Sequence, residues 1–131
     1  MAADPESMRA AIPLLLLVCG NTPASASCPI TSSEADKLLS HTVEAEQASS
    51  LGATLEYFAW RADPSNPDVI GRMVMGRGGS FHALLDNGLV GYFTVDLRTS
   101  DVRDVNGDAV NNPSLIKYRK RLLAERCASG R

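Results

Sequence analysis

Hydrophobic and polar positions change their period several times along the chain. Leu14 to Val18 form an unbroken apolar run, with Ala10, Ala11 and Ile12 upstream and Pro13 between. From Ala35 the period becomes helical. Ala35, Leu38, Leu39 and Val43 fall on one face of a helix, which Ser32 or Ser33 is placed to cap. Glu34 and Asp36 stand in its first turn, where the helix dipole favours acids. This helix is expected to run to about Ser49, with Gly52 marking the turn that follows.

The period then shortens to two. Thr54 to Arg61 is rich in aromatics and reads as a strand. Asp63 to Asp68 carries two prolines and reads as a turn. Ile70 to Met75 is a second expected strand, interrupted by Gly76-Arg77-Gly78-Gly79, and Phe81 to Leu85 is a short third. Leu89 to Arg98 alternates most clearly: Gly91, Phe93, Val95 and Leu97 share one face, Tyr92, Thr94, Asp96 and Arg98 the other. Val102 to Val105 follows, then Asn106-Gly107 as a turn. Asn112 is placed to cap a last helix that opens at Pro113 and whose inner face is Leu115, Ile116, Arg119, Leu122 and Leu123. Helix, strands in hairpin succession, then helix predicts an α+β domain. Its antiparallel sheet has about four strands, with the C-terminal helix packed on one face.

The apolar run near the N-terminus changes the picture, because its surroundings are those of an export signal. Arg9 precedes it, Pro23 breaks it, and Ala24-Ser25-Ala26 supplies the small residues a signal peptidase reads. The run is too short to span a bilayer, which needs about 20 residues. Residues 1–26 therefore read as a signal peptide cut after Ala26. Residues 1–7 are a doubtful leader, since acidic Asp4 and Glu6 are wrong for an n-region and Met8 is the better start. A buried N-terminal helix is the structural alternative. A lipoprotein is the other, although neither Cys19 nor Cys28 has the usual small residue directly before it together with Leu three before.

Cleavage leaves residues 27–131 as one domain of 105 residues. It removes Arg9, Asp4 and Glu6 and takes the formal charge from −2 to −1, which gives no case for nucleic acid as a partner. No second apolar stretch of spanning length follows. Of three cysteines, Cys28 and Cys127 survive at the two ends of the mature domain. In an oxidising compartment they read as a disulfide, two separate thiols being the alternative.

Candidate chemistry is thin. Asp104-Val105-Asn106-Gly107-Asp108 opens like a calcium loop, but Ala109 stands where the loop needs Gly and Leu115 where it needs the closing Glu. Two distant histidines, His41 and His82, do not announce a metal site, so no metal or cofactor is expected. Ser80 and His82, two apart on an expected strand, have no assignable orienting acid. Gly76 to Ser80 lacks the P-loop Lys-Ser/Thr. It reads as a flexible hairpin loop or as a partner contact, with Arg77, Gly78, Gly79 and His82 as the candidate contact residues. Lys117, Arg119, Lys120 and Arg121 form a cationic cluster that is either a solvated helix face or a surface for an acidic partner.

The stretch from Gly91 to Val102 resembles the hairpin of PepSY-like domains, which carry an aromatic, a Val-Asp, then Thr-Gly-Asp/Glu-Val at the turn; here Ser100 takes the place of the turn glycine. The overall layout is also similar to small periplasmic immunity or enzyme-inhibitor proteins. The resemblance covers about a dozen residues. It implies a small, exported, non-catalytic unit that binds or restrains another protein, often a protease. Small size, export, a disulfide and no assembled active site point the same way, to a binding protein of the envelope that inhibits a partner such as a cell-wall hydrolase or protease. A small envelope enzyme with a scattered active site, or a structural or ligand-binding envelope protein, is the alternative.

Overall fold

The computed structural model describes residues 28–61, 63–81 and 87–129. The expected signal peptide and leader lie outside them. The elements are α1 (Ser32–Leu39), α2 (Val43–Ser50), β1 (Thr54–Trp60), β2 (Val69–Arg77), β3 (Leu89–Asp96), β4 (Asp101–Asp104) and α3 (Pro113–Ser129). The strands form one antiparallel sheet in the order β1-β2-β3-β4, so the α+β reading holds.

Helices cover one face of that sheet. Ala35, Leu38 and Leu39 of α1 and Leu115 and Leu122 of α3 share a core with Val74, Phe93, Val95 and Val102. Arg72 on the same sheet face donates from Nε to Asp36 Oδ1 of α1 at 2.9 Å. Burial raises the pKa of the neighbouring Tyr57, the Asp36 charge adds to this, and a hydrogen bond with Ser40 partly offsets both. Cys28 and Cys127 are bonded, with Cα atoms 5.4 Å apart. Around that bond Ile30 N–H donates to Leu97 O at 2.8 Å, and Arg126 Nε donates to Pro29 O at 3.2 Å. The end of α3, the N-terminal segment and the end of β3 are thereby held together.

Several local expectations are corrected. The single helix from Ser32 to Ser49 is two. Thr31, not Ser32 or Ser33, caps α1, in a reciprocal capping box with Glu34. The chain then breaks at Ser40–Thr42, because Thr42 is extended and caps α2 through Ala45 N–H. That break shifts the helical frame, so Val43 is exposed while Ala45 and Ala48 are buried. Gly76 does not interrupt β2, which runs on to Arg77; a Cβ at Gly76 would lie 2.7 Å from the Phe81 ring. Phe81 is helical rather than extended, and β2 pairs directly with β3; residues 82–86 lie outside the described set.

The fourth strand ends at Asp104, leaving Val105 exposed. In α3, Ile116 is exposed and Tyr118 packs on the core in its place. Asn112 does not cap through its side chain. Its Nδ2 donates to His41 O at 2.9 Å, and its buried Oδ1 has no partner among the described residues. Arg119 does turn inward, giving its Nε to Ser100 O at 3.0 Å. Burial lowers its pKa, and Asp101 partly offsets this.

Candidate functional site

The alternation that buries Val74 and Phe93 under the helices sends their neighbours to the opposite face. Register aligns Phe58 with Met73 and Met73 with Tyr92, a row across three strands. The next row is Trp60, Gly71, Thr94 and Arg103. The Trp60 and Tyr92 rings meet at 4.9 Å between centroids, tilted by 43°. Met75 continues the patch, and Phe58 is 43% exposed. The buried helix residues pack on the opposite face, with Val74 and Phe93, while Trp60, Met73, Met75 and Tyr92 are half-buried. An antiparallel sheet with one free face normally presents polar groups there. Here the central positions are aromatic or thioether.

The chain at the end of β1 passes close over Gly71, where a Cβ would stand 2.6 Å from Trp60 O. Only glycine lets β1 and β2 approach that closely, and the approach fixes the position of Trp60.

Arg77 stands at one end of this face, opposite Thr54. Its Nη2 lies 2.7 Å from both carboxylate oxygens of Glu56. With the Arg77 side chain 69% exposed, water screens the pair strongly. Gly78 projects into open space with φ +86°. Gly79, with φ +60°, packs on the turn after α2, where a Cβ would lie 2.4 Å from Leu51 O. Ser80 N–H donates to the same Leu51 O at 2.8 Å. The loop is thus anchored at Gly79 and Ser80, with Arg77 and Gly78 outermost. His82 lies outside the described residues.

A second polar cluster occupies the corner between the α1–α2 junction and the start of α3. His41 stacks on Tyr118 at 4.4 Å and 18°. Its Nδ1 lies 3.3 Å from Ser114 Oγ and 3.4 Å from Glu46 Oε2, and Ser114 donates its hydroxyl to Glu46. Lys117 and Arg121 complete the wall of a depression of about 240 Å³. Serine, histidine and an acid are close together here, but not as a relay. Nucleophile activation needs serine and acid on opposite imidazole nitrogens, whereas both approach Nδ1 and the serine proton goes to the carboxylate.

Asp104 Oδ1 accepts from Asn106 N–H at 2.9 Å and Asp108 N–H at 3.0 Å, an ordinary Asx turn built from the residues that resembled a calcium loop. Among the described residues no group of three or more His, Cys, Asp or Glu is placed to hold a metal. No described helix is long and apolar enough to cross a membrane.

The sequence reading places Tyr92 and Thr94 outward but does not join them to Phe58, Trp60 and Met73. The usable signal is aromatic and methionine residues at outward positions of three strands in succession. The corner cluster has no such signal, since His41 and Ser114 are 73 residues apart.

No family model matches the chain, and no curated protein matches it in sequence. Among solved structures it is similar to a chain in the structure of a type VI secretion system effector-immunity complex from Pseudomonas protegens. The two are 16% identical over 82% of this chain and 86% of that one, with a TM-score of 0.49.

Proposed function

We propose that the chain is an exported, non-catalytic binding protein of the bacterial envelope that docks its free sheet face on a partner enzyme and restrains it. This is the role of an immunity or inhibitor protein for a cell-wall hydrolase or protease. The observation that carries the reading is the row Phe58, Met73 and Tyr92 with Trp60 beside it. Phe58 is exposed and the other three are half-buried, so this apolar surface is partly open to solvent, and contiguous apolar surface of that kind marks interaction sites. Tryptophan and tyrosine are the residues that most often dominate binding energy, and methionine adapts to a partner's shape. Arg77 and Gly78 sit at the rim of the same face, with Gly79 next along that loop; His82, the other expected contact residue, lies outside the described residues. A rim arginine suits a carboxylate at the edge of a partner's cleft.

Export with cleavage after Ala26 belongs to the same reading, and the bond between Cys28 and Cys127 is at home in an oxidising compartment. The test is direct addition of the purified mature protein to envelope and secreted fractions of the source cell. Hydrolase or protease activity in one fraction falls in proportion to the protein added. N-terminal sequencing of exported protein begins at Ser27. Activities untouched at stoichiometric excess, together with a retained Met1 or Met8, contradict the proposal.

A further inference from the structure

The corner depression is separate from the free sheet face, and its side chains are unusual in one respect. Ser114, Lys117, Tyr118 and Arg121 are spaced as a single stripe on α3, and all four line the depression, Tyr118 also touching the core with its ring. Lys117 and Arg121 are like charges one helical turn apart, an arrangement that destabilises a helix when nothing answers it. Neither forms an ion pair among the described residues. The acid in the depression, Glu46, is already engaged by the Ser114 hydroxyl and stands beside His41. Arg121 lies instead over the Tyr118 ring, 5.3 Å from its centroid. That ring is held in turn by the stack with His41. The guanidinium is therefore positioned by an aromatic surface while its hydrogen-bond donors remain unused by any acid.

We infer that this corner binds one carboxylate, presented by an acidic side chain of a peptide or protein segment. Lys117 and Arg121 would bracket the group, and the His41–Tyr118 stack would form the floor. The charge count selects a monoanion. Two cations and Glu46, with the imidazole left out of the count, leave one positive charge to be matched. A phosphate dianion would meet Glu46 repulsion that a single carboxylate largely avoids. The volume, about 240 Å³, exceeds one acidic side chain and leaves room for its neighbour in a peptide. The site does not depend on the sheet-face reading, because the residues of the two surfaces do not overlap.

The test is a chemical-shift titration of the mature protein with three probes at matched ionic strength: a capped Gly-Glu-Gly peptide, propionate and inorganic phosphate. With the peptide, shifts are confined to residues 41–46 and 114–121. The double variant Lys117→Ala/Arg121→Ala binds it at least about fivefold more weakly, since two exposed pairs are lost. Lys120→Ala, an exposed cation of the same helix outside the depression, changes affinity by less than about twofold. Propionate binding at the same residues with equal strength supports the carboxylate site and makes free carboxylates its source. Three results overturn the inference: no localised shifts, equal losses in Lys120→Ala and the double variant, or phosphate binding more tightly than either carboxylate probe.

Discussion

Ser100 is fully buried with φ +61°, a left-handed conformation that costs a non-glycine residue about 1–2 kcal/mol. The turn holds it there, because Ser100 N–H donates to Asp96 O at 2.7 Å and Ser100 O accepts from Arg119. Glycine would remove the strain but lose about 0.5–1 kcal/mol through its freer unfolded chain. Ser100→Gly is therefore expected to gain between roughly 0 and 1.5 kcal/mol in urea melts. A loss above about 1 kcal/mol would show that the hydroxyl contributes more than the strain costs.

Asp96, at the start of the same turn, has a lowered pKa. Burial alone would raise it, but hydrogen bonds from the Arg98 side chain and backbone, with the Arg98 charge and Thr99 N–H, outweigh burial. A carboxylate held below its unfolded value of about 3.9 stabilises the fold above that pH, and loses the contribution as pH falls through the folded value. The stability gap between wild type and Asp96→Asn is expected to be widest near pH 7 and to close below about pH 4. A gap that widens with acid contradicts the assignment.

At the scale of elements, β3 was the most legible part of the chain, because strict alternation has one reading when one face is buried. Phe93 and Val95 are 3% and 0% exposed. Phe93→Ala is expected to cost about 3–5 kcal/mol, against well under 1 kcal/mol for Thr94→Ala on the free face. Equal urea midpoints for the two would reverse the faces. The N-terminal helix was read less well, since a period of apolar residues does not reveal where the backbone leaves the helix. Thr42 competes for its own turn through Oγ1, accepting from Ala45 N–H and donating to Leu39 O, a local choice that periodicity averages away. Gly76 illustrates the opposite error. Its lack of a side chain reads as a breaker, yet within β2 it makes room for the Phe81 ring. The free-face patch was legible only in part, because its significance depends on which strands are neighbours, and that is a property of the sheet.

For the molecule as a whole, the bond between Cys28 and Cys127 closes a loop of sequence separation 99. The chain-entropy argument sets an upper bound of about 4.7 kcal/mol on what it contributes. Cys127→Ser is expected to lower the melting temperature, and intact mass is expected to rise by two hydrogens on reduction. Unreduced, denatured protein that alkylates at both positions would contradict the pairing.

Core packing holds the helix layer on one side of the sheet, and Phe58, Met73 and Tyr92 are on the other. This face is the one proposed to bind the partner. A photo-crosslinking residue is placed at Phe58 and, in parallel, at exposed Ala124 of α3, in the helix layer on the other side of the sheet. Both proteins are then irradiated with the envelope fraction whose enzyme activity the wild type suppresses. The expected result is a covalent adduct with that enzyme from position 58 and none from position 124, and loss of both suppression and adduct when Trp60→Ala and Tyr92→Ala are added to a chain that still melts cooperatively. An adduct from position 124 alone, or full suppression by the Trp60→Ala/Tyr92→Ala chain, would contradict it.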